Sequence, residues 1–453
     1  MASMNKTELL SPAGTYKNMC YAFAYGADAV YAGQPRYSLR VRENDFKNAD
    51  RLAQGIEHAH KLGKLFFLAS NLAPHNNKVK TYLRDLEPII AMQPDALIMS
   101  DPGLIMMVRE TWPDMPVHLS VQANAVNFAT VKFWKSMGLT RIILSRELGL
   151  EEIREIRQEC PDIELEVFIH GALCIAYSGR CLLSGYMTHR DSNQGACTNS
   201  CRWKYNAMEA TQSTTGEVIP LHQPNTYKPH ENDDDNPMFL LEEHGRPGEL
   251  MPAYEDEHGT YIMNSKDLRA VQHVQTLMDM GIDSLKIEGR TKSHFYAART
   301  TQVYRQAIDD AYAGREFNME LMDTLEGLAN RGFTEGFYRR HPPKEFQNYE
   351  SGFSSSDKQQ FVGEVMHYDK DSGMLRIDVK NKFLVGDNLQ LMTPTGNVEF
   401  KLTDMIGKKG AKMEYAPGSG HVVDIPVQIP AKDLVEINFG LLVRYLPKIA
   451  SGS

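Results

Sequence analysis

Residues 164–184 read "ELEVFIHGALCIAYSGRCLLS". From Leu165 to Gly171 the run is almost continuously apolar, which marks a strand covered on both faces rather than one with a wet side. Seven other runs share this texture: "ELLSPA", "DAVYAG", "KLFFLASN", "DALIMSD", "VHLSVQA" and "RIILSRE" before it, and "SLKIEGR" after it. Amphipathic segments separate most of them. In Asp45 to Leu62, for example, Phe46, Leu52, Ile56, Ala59 and Leu62 recur at helical spacing. Gly26, Gly63, Gly138 and Gly281 stand where such helices end and the chain must turn back. Eight buried strands alternating with helices predict an α/β protein whose parallel sheet closes into a (β/α)8 TIM-like barrel. An open doubly wound sheet is the alternative, but "SPAGTYKN" after the first strand lacks the glycine spacing that cradles a pyrophosphate.

The barrel is expected over residues 5–335, with an insertion after the seventh strand that carries cysteines and an acidic loop at 173–258. Within it, "HQPNTYKPHENDDDNPMF" reads as a surface loop, and "NSKDLRAVQHV" as a return to order, with Ser265 capping a helix that starts near Lys266. Residues 336–358 read as a linker. Residues 359–448 alternate apolar and polar positions around Gly and Asp turns, predicting a small C-terminal antiparallel β-barrel.

The net charge of −9 excludes a protein that coats nucleic acid through an overall basic field. Asn225 to Thr260 alone holds ten acidic against two basic residues, so the remainder is near neutral and a local basic groove is still allowed. No apolar run is long enough to span a bilayer, and "MASMNKTELLSPAG" lacks the pattern of a secretory signal. Six cysteines in 453 residues are too few for a disulfide scaffold, so a reducing, cytoplasmic setting is expected.

Four of those cysteines, Cys174, Cys181, Cys197 and Cys201, are separated by six, fifteen and three residues. Four thiolates that close in sequence can share one metal centre. Zinc favours pairs two to four residues apart, which only Cys197 and Cys201 satisfy, whereas an iron-sulfur cluster takes wider spacing. Spacing leaves both open. A cysteine nucleophile with His170 as base is a third reading, though it leaves three thiols without a task. Cys20 and Cys160 read as small buried groups.

Residues just past the strand ends gather at one mouth of such a barrel, and here they are polar: Asn71, Asp101, Gln122, Asn124, Arg146, Glu147, His170, Glu288 and Arg290. Loops are wet in any case, so each alone has a bland reading.

The stretch "EVFIHGALCIAYSGRCLLSG" resembles the signature of the collagenase-like peptidases, family U32, with Glu166, Phe168, Gly171, Ala172, Cys174, Gly179, Cys181 and Ser184 at the signature positions. "LLSPAG", "YAFAYGADAVYAGQPRYSLRVR", "MSDPGLI", "HLSVQANAVN", "ILSRELGLEEI", "YIMNSKDL" and "SLKIEGRTKS" extend the resemblance through most of the chain, toward a branch that hydroxylates tRNA. The resemblance implies a 4Fe-4S cluster on Cys174, Cys181, Cys197 and Cys201, tRNA as partner, 5-hydroxyuridine at wobble position 34 as product, and prephenate as co-substrate. It also likens the C-terminal domain to barrels of translation factors. Prephenate carries two carboxylates, which guanidinium groups bind in paired geometry. Arg36, Arg40 and Arg42 after the second strand, and Lys286 and Arg290 around the eighth, are the candidates, with Arg36 and Arg290 nearest the expected mouth. His170 and Glu288 are candidates for proton transfer or substrate orientation. Gln122 and Asn124 could read a flipped uridine, and Tyr177 could stack on the base or shield the cluster. The rival readings are a U32-type peptidase, although no "HExxH" is present, and an RNA-binding protein with structural zinc.

Overall fold

A computed structural model of the chain describes residues 6–39, 44–173, 205–212, 218–220, 238–243, 250–256, 259–260, 267–328, 333–339, 359–407 and 410–446. Strands β1 (Glu8–Pro12), β2 (Ala29–Gly33), β3 (Leu65–Ser70), β4 (Ala96–Met99), β5 (Val117–Leu119), β6 (Arg141–Ile143) and β7 (Glu164–Ala172) pair in parallel in chain order. The insertion contributes an antiparallel sheet of β8 (Tyr205–Gln212), β9 (Val218–Pro220), β10 (Met238–Glu243), β11 (Leu250–Asp256) and β12 (Gly259–Thr260). After β13 (Asp267–Arg269), β14 (Ser284–Ile287) pairs in parallel with both β1 and β7 and closes an eight-stranded barrel. The eight strands are those read from the sequence, because a strand buried on both faces leaves an unbroken apolar run. β13 runs antiparallel on β7 and carries β15 (Phe333–Thr334), forming a lip outside the ring.

Helices cover the barrel, and their ends follow local rules. Asp101 accepts from the Leu104 amide at 2.9 Å at the start of Pro102–Thr111, and Ser293 accepts from Tyr296 at the start of His294–Tyr312. Gly26 and Gly63, at φ 102° and 66°, supply the left-handed turns that return the chain to the next strand. No helix among the described residues is long and apolar enough to cross a membrane.

Three expectations change. Asp267–Arg269 is a strand and the first α-helix after it starts at Val274, not near Lys266, because pairing with β7 overrides local helix signals; Ser265 and Lys266 lie outside the described residues. Met238 and Phe239, at the end of the expected acidic loop, belong to β10. The C-terminal strands β16 (Gln359–Asp369), β17 (Met374–Val379), β18 (Phe383–Leu384), β19 (Asn388–Thr393), β20 (Gly396–Lys401), β21 (Ile406–Gly407), β22 (Tyr415–Ala416), β23 (Val422–Pro426) and β24 (Leu441–Tyr445) form a seven-stranded antiparallel sheet and a two-stranded one. Its order, β20-β19-β24-β16-β17-β23-β21, does not close into a ring among the described residues. Two bulges in β16 bend the sheet around a core of Val362, Leu375, Ile377, Leu389, Val423 and Leu442.

Packing on the barrel extends through Tyr338, whose carbonyl accepts from Leu150. The C-terminal sheet docks on the helices Tyr16–Ala24 and His294–Tyr312 through Tyr21, Tyr25, Ala298, Met392 and Leu441. Arg299, fully buried there, donates to Gln390 Oε1 at 2.5 Å, and burial lowers its guanidinium to about 10.

Candidate functional site

The lower lumen of the barrel is a charged plug. Arg141 Nη1 reaches Glu8 Oε1 at 2.6 Å and Glu166 Oε2 at 3.2 Å, while its Nε reaches Glu164 at 2.8 Å. Lys286 Nζ bonds the other oxygen of Glu166 at 2.7 Å, and Ser284 donates to Glu8 at 2.9 Å. Burial works against the charge of Arg141, but Glu8 and Glu166 outweigh it and hold the guanidinium protonated; the ammonium of Lys286 is pushed down by burial, with Glu166 opposing. Charges this deep persist because each has an opposite partner.

Above the plug lies the mouth. Tyr31 of β2 and Phe168 of β7 are buried rings, with Lys286 Nζ 4.3 Å from the centre of the first and 5.5 Å from the second. The Tyr31 hydroxyl is shared between the Ile287 carbonyl and Glu288 Oε2, both at 3.0 Å. Arg146, just past β6, stacks its guanidinium 3.7 Å from the Phe168 centroid and lies 3.8 Å from Glu288 Oε2. Arg290 donates to Ser38 Oγ at 2.8 Å and lies over the same Tyr31 ring. Gly33 makes room for it: a Cβ there would stand 2.9 Å from Arg290 Nη1. A cavity of about 270 Å³ opens beside Arg290, lined also by Thr15, Asn44, Lys47 and Lys292. Three cations (Arg146, Lys286 and Arg290), the carboxylate of Glu288 and two aromatic rings thus crowd one end of the barrel, next to a cavity that Asp45 and Thr291 also line, and the cations suit an anionic ligand.

The expected site residues fall into separate places. Glu288, Lys286 and Arg290 come together, Lys286 as floor rather than wall. Arg36 turns away, with a 60% exposed side chain in an ion pair with Asp85 at 2.7 Å on the helix Tyr82–Ile90. Asn124, at φ 52°, has both amide atoms buried without a hydrogen-bond partner, while Gln122 accepts from Ser120 at 3.3 Å. Asp101 is a helix cap. Arg40, Arg42, Cys174, Tyr177, Cys181, Cys197 and Cys201 lie outside the described residues.

His170 is displaced from the lumen. β7 carries a bulge, so that Phe168 pairs with Lys286 and His170 with Ile287, and one step on β14 answers two on β7. The extra residue moves His170 to the outer face, among the rings of Tyr296, Tyr304 and Phe333. Burial drives its imidazole down to about 3, so it is neutral at ordinary pH and has no proton to give. Burial also raises the thiols of Cys20 and Cys160, so neither is poised as a thiolate nucleophile.

Sequence reasoning passed over Tyr31 and Phe168 because a strand aromatic reads as core. It also passed over Gln34, which is fully buried with both amide atoms unpaired. Nothing in the local pattern marks Gln34.

A family model described as "Peptidase family U32" matches residues 14–348. The chain belongs to peptidase family U32. A model for the "Peptidase family U32 C-terminal domain" matches residues 357–436. Among U32 relatives, the chain is 61% identical over 446 residues to "tRNA hydroxylation protein P" of Escherichia coli (strain K12), covering 97% of each chain. It is 59% identical over 454 residues to the protein of that name in Haemophilus influenzae, covering 98% of each. Against "tRNA hydroxylation protein P1" of Bacillus subtilis (strain 168) the identity is 36% over 392 residues, covering 86% of this chain and 84% of that one.

Proposed function

We propose that this protein is an enzyme that hydroxylates the wobble uridine of tRNA to 5-hydroxyuridine, with prephenate as co-substrate and a 4Fe-4S cluster as cofactor. The observation that carries the reading is the 61% identity across 97% of both chains to a protein named for tRNA hydroxylation. The donor set fits the cofactor: four cysteines lie within residues 174–201, and soft thiolates are the ligands such clusters take. The strand that precedes them in the chain ends beside the mouth. β7 ends at Ala172, and Gly171 lies so close to Glu288 that a Cβ would stand 2.4 Å from its carbonyl oxygen. Cys174, Cys181, Cys197 and Cys201 would hold the cluster, which supplies electron-transfer chemistry when bound.

The other residues bind and orient. Arg290 and Lys286 give the mouth positive potential for an anionic co-substrate, and the buried rings of Tyr31 and Phe168 hold these cations in place. Glu288, held by the Tyr31 hydroxyl, can take or return a proton at the reacting base. Gln122, bonded among the described residues only through its Oε1 to Ser120, could offer its amide N–H to a uracil edge, and the buried, partnerless amide of Asn124 could do so if that edge displaced its cover. The deciding experiment is mass spectrometry of tRNA nucleosides from cells lacking the protein. 5-Hydroxyuridine should fall on deletion and return with wild type but not with Cys174→Ala; an unchanged level on deletion removes the reading. Protein purified without oxygen should carry about four irons per chain, whereas stoichiometric zinc would eliminate the cluster.

A further inference from the structure

We propose that Arg146 is the anchor that binds a carboxylate of the small organic acid in the barrel mouth. The assignment rests on the reading that this mouth takes a carboxylate co-substrate, but not on which acid it is. Its basis is a contrast among the buried arginines. Arg141 is bonded to three glutamates, Arg157 to Asp283, Arg269 to Glu326, Arg305 to Asp28 and Arg299 to Gln390. Arg146, with a side chain only 12% exposed, makes no hydrogen bond among the described residues, and its nearest carboxylate oxygen, from Glu288, is 3.8 Å away. Its N–H donors keep a little access to solvent and have no protein acceptor among the described residues, so they are open to a ligand that brings oxygens.

The surroundings select the ligand class. Stacking on Phe168 at 3.7 Å occupies a face of the guanidinium and leaves its in-plane N–H edge for a planar, two-oxygen acceptor. A carboxylate matches that edge with two coplanar oxygens, which a tetrahedral phosphate does not present in the same planar form. Glu288 is near enough to balance the charge of Arg146 between turnovers but too far to saturate its donors. Of the other arginines that sequence places by the mouth, Arg36 already has Asp85 at 2.7 Å and Arg290 donates to Ser38 at 2.8 Å.

Calorimetric titration of the full-length protein with prephenate, phenylpyruvate and inorganic phosphate tests this, on wild type, Arg146→Ala, Arg146→Gln and Arg146→Lys. Arg146→Gln keeps much of the packing on Phe168, so it serves if the alanine variant does not fold; melting curves identify folded variants. Expected is a loss of about tenfold to a hundredfold in prephenate affinity for Ala and Gln, the range of one lost charged hydrogen-bond pair. Lysine should not restore it, because a point charge cannot form the paired geometry. Unchanged binding in a folded Arg146→Ala or Arg146→Gln protein overturns the proposal, as does Arg146-dependent binding of phosphate with no carboxylate bound. Wild type that binds phenylpyruvate but not prephenate, with that binding lost in Arg146→Ala, supports Arg146 as anchor while removing prephenate as the co-substrate.

Discussion

In the lower lumen Arg141 touches three carboxylates, whereas one layer up Arg146 stands 3.8 Å from a single one. Arg141, at the start of β6, is buried, and Arg146, just past its end, is largely so. The lower one is satisfied from every side, with Lys286 bonding the far oxygen of Glu166. In the upper layer Arg146 and the amide of Asn124 lack hydrogen-bond partners among the described residues. Satisfied charges make the barrel one specific structure, whereas Arg146 keeps donors that a bound molecule could use.

The comparison breaks first at Glu166. Glu166→Ala leaves Arg141 and Lys286 buried with their shared partner gone, which should cost about 3–5 kcal/mol and show as a large drop in the urea midpoint. A loss under about 1 kcal/mol would mean that the plug is hydrated and no different from the mouth. Acid acts next, through His170. In the unfolded chain its imidazole takes a proton near pH 6.5, but in the folded protein it stays neutral down to about 3 because it is buried. Between those values the unfolded state binds more protons, so stability falls as pH drops through that window. Denaturation curves at a series of pH values should therefore show a shallower decline for His170→Gln than for wild type; equal slopes would place His170 in contact with water. Tyr31→Phe removes the hydroxyl from Glu288 and should cost about 1 kcal/mol while lowering 5-hydroxyuridine formation in complemented cells. Full activity in that variant would detach Glu288 from the chemistry. The smallest effect is at Arg36, where an exposed pair with Asp85 contributes within about 0.5 kcal/mol; Arg36→Ala should leave both the melting temperature and the modified nucleoside unchanged.

Much of the barrel was legible because its evidence is local. The eight strands each had to be apolar on both faces, and a residue-by-residue reading detects that. The C-terminal strands were equally visible from their alternation, but whether they close into a ring depends on pairings between distant residues, and β20 and β21 are not paired. Site residues divided along the same line. Glu288 and Arg290 were nominated because they follow a strand end, a property of the chain alone. His170 was nominated for the same reason, and one bulge in β7 moved it to the other face.

From the sequence alone came the order of strands and helices, the four clustered cysteines and the resemblance to family U32, since these depend on residue type and spacing. Only the tertiary structure could separate Arg36 from Arg146 and Arg290. All three follow strands and look alike in one dimension, but what a guanidinium does depends on which acceptors reach it, and those come from elements far away in the chain: Asp85 reaches Arg36 and Ser38 reaches Arg290, while Glu288 stops 3.8 Å short of Arg146. Hydrogen bonding is short-ranged and directional, so no pattern along the chain encodes it.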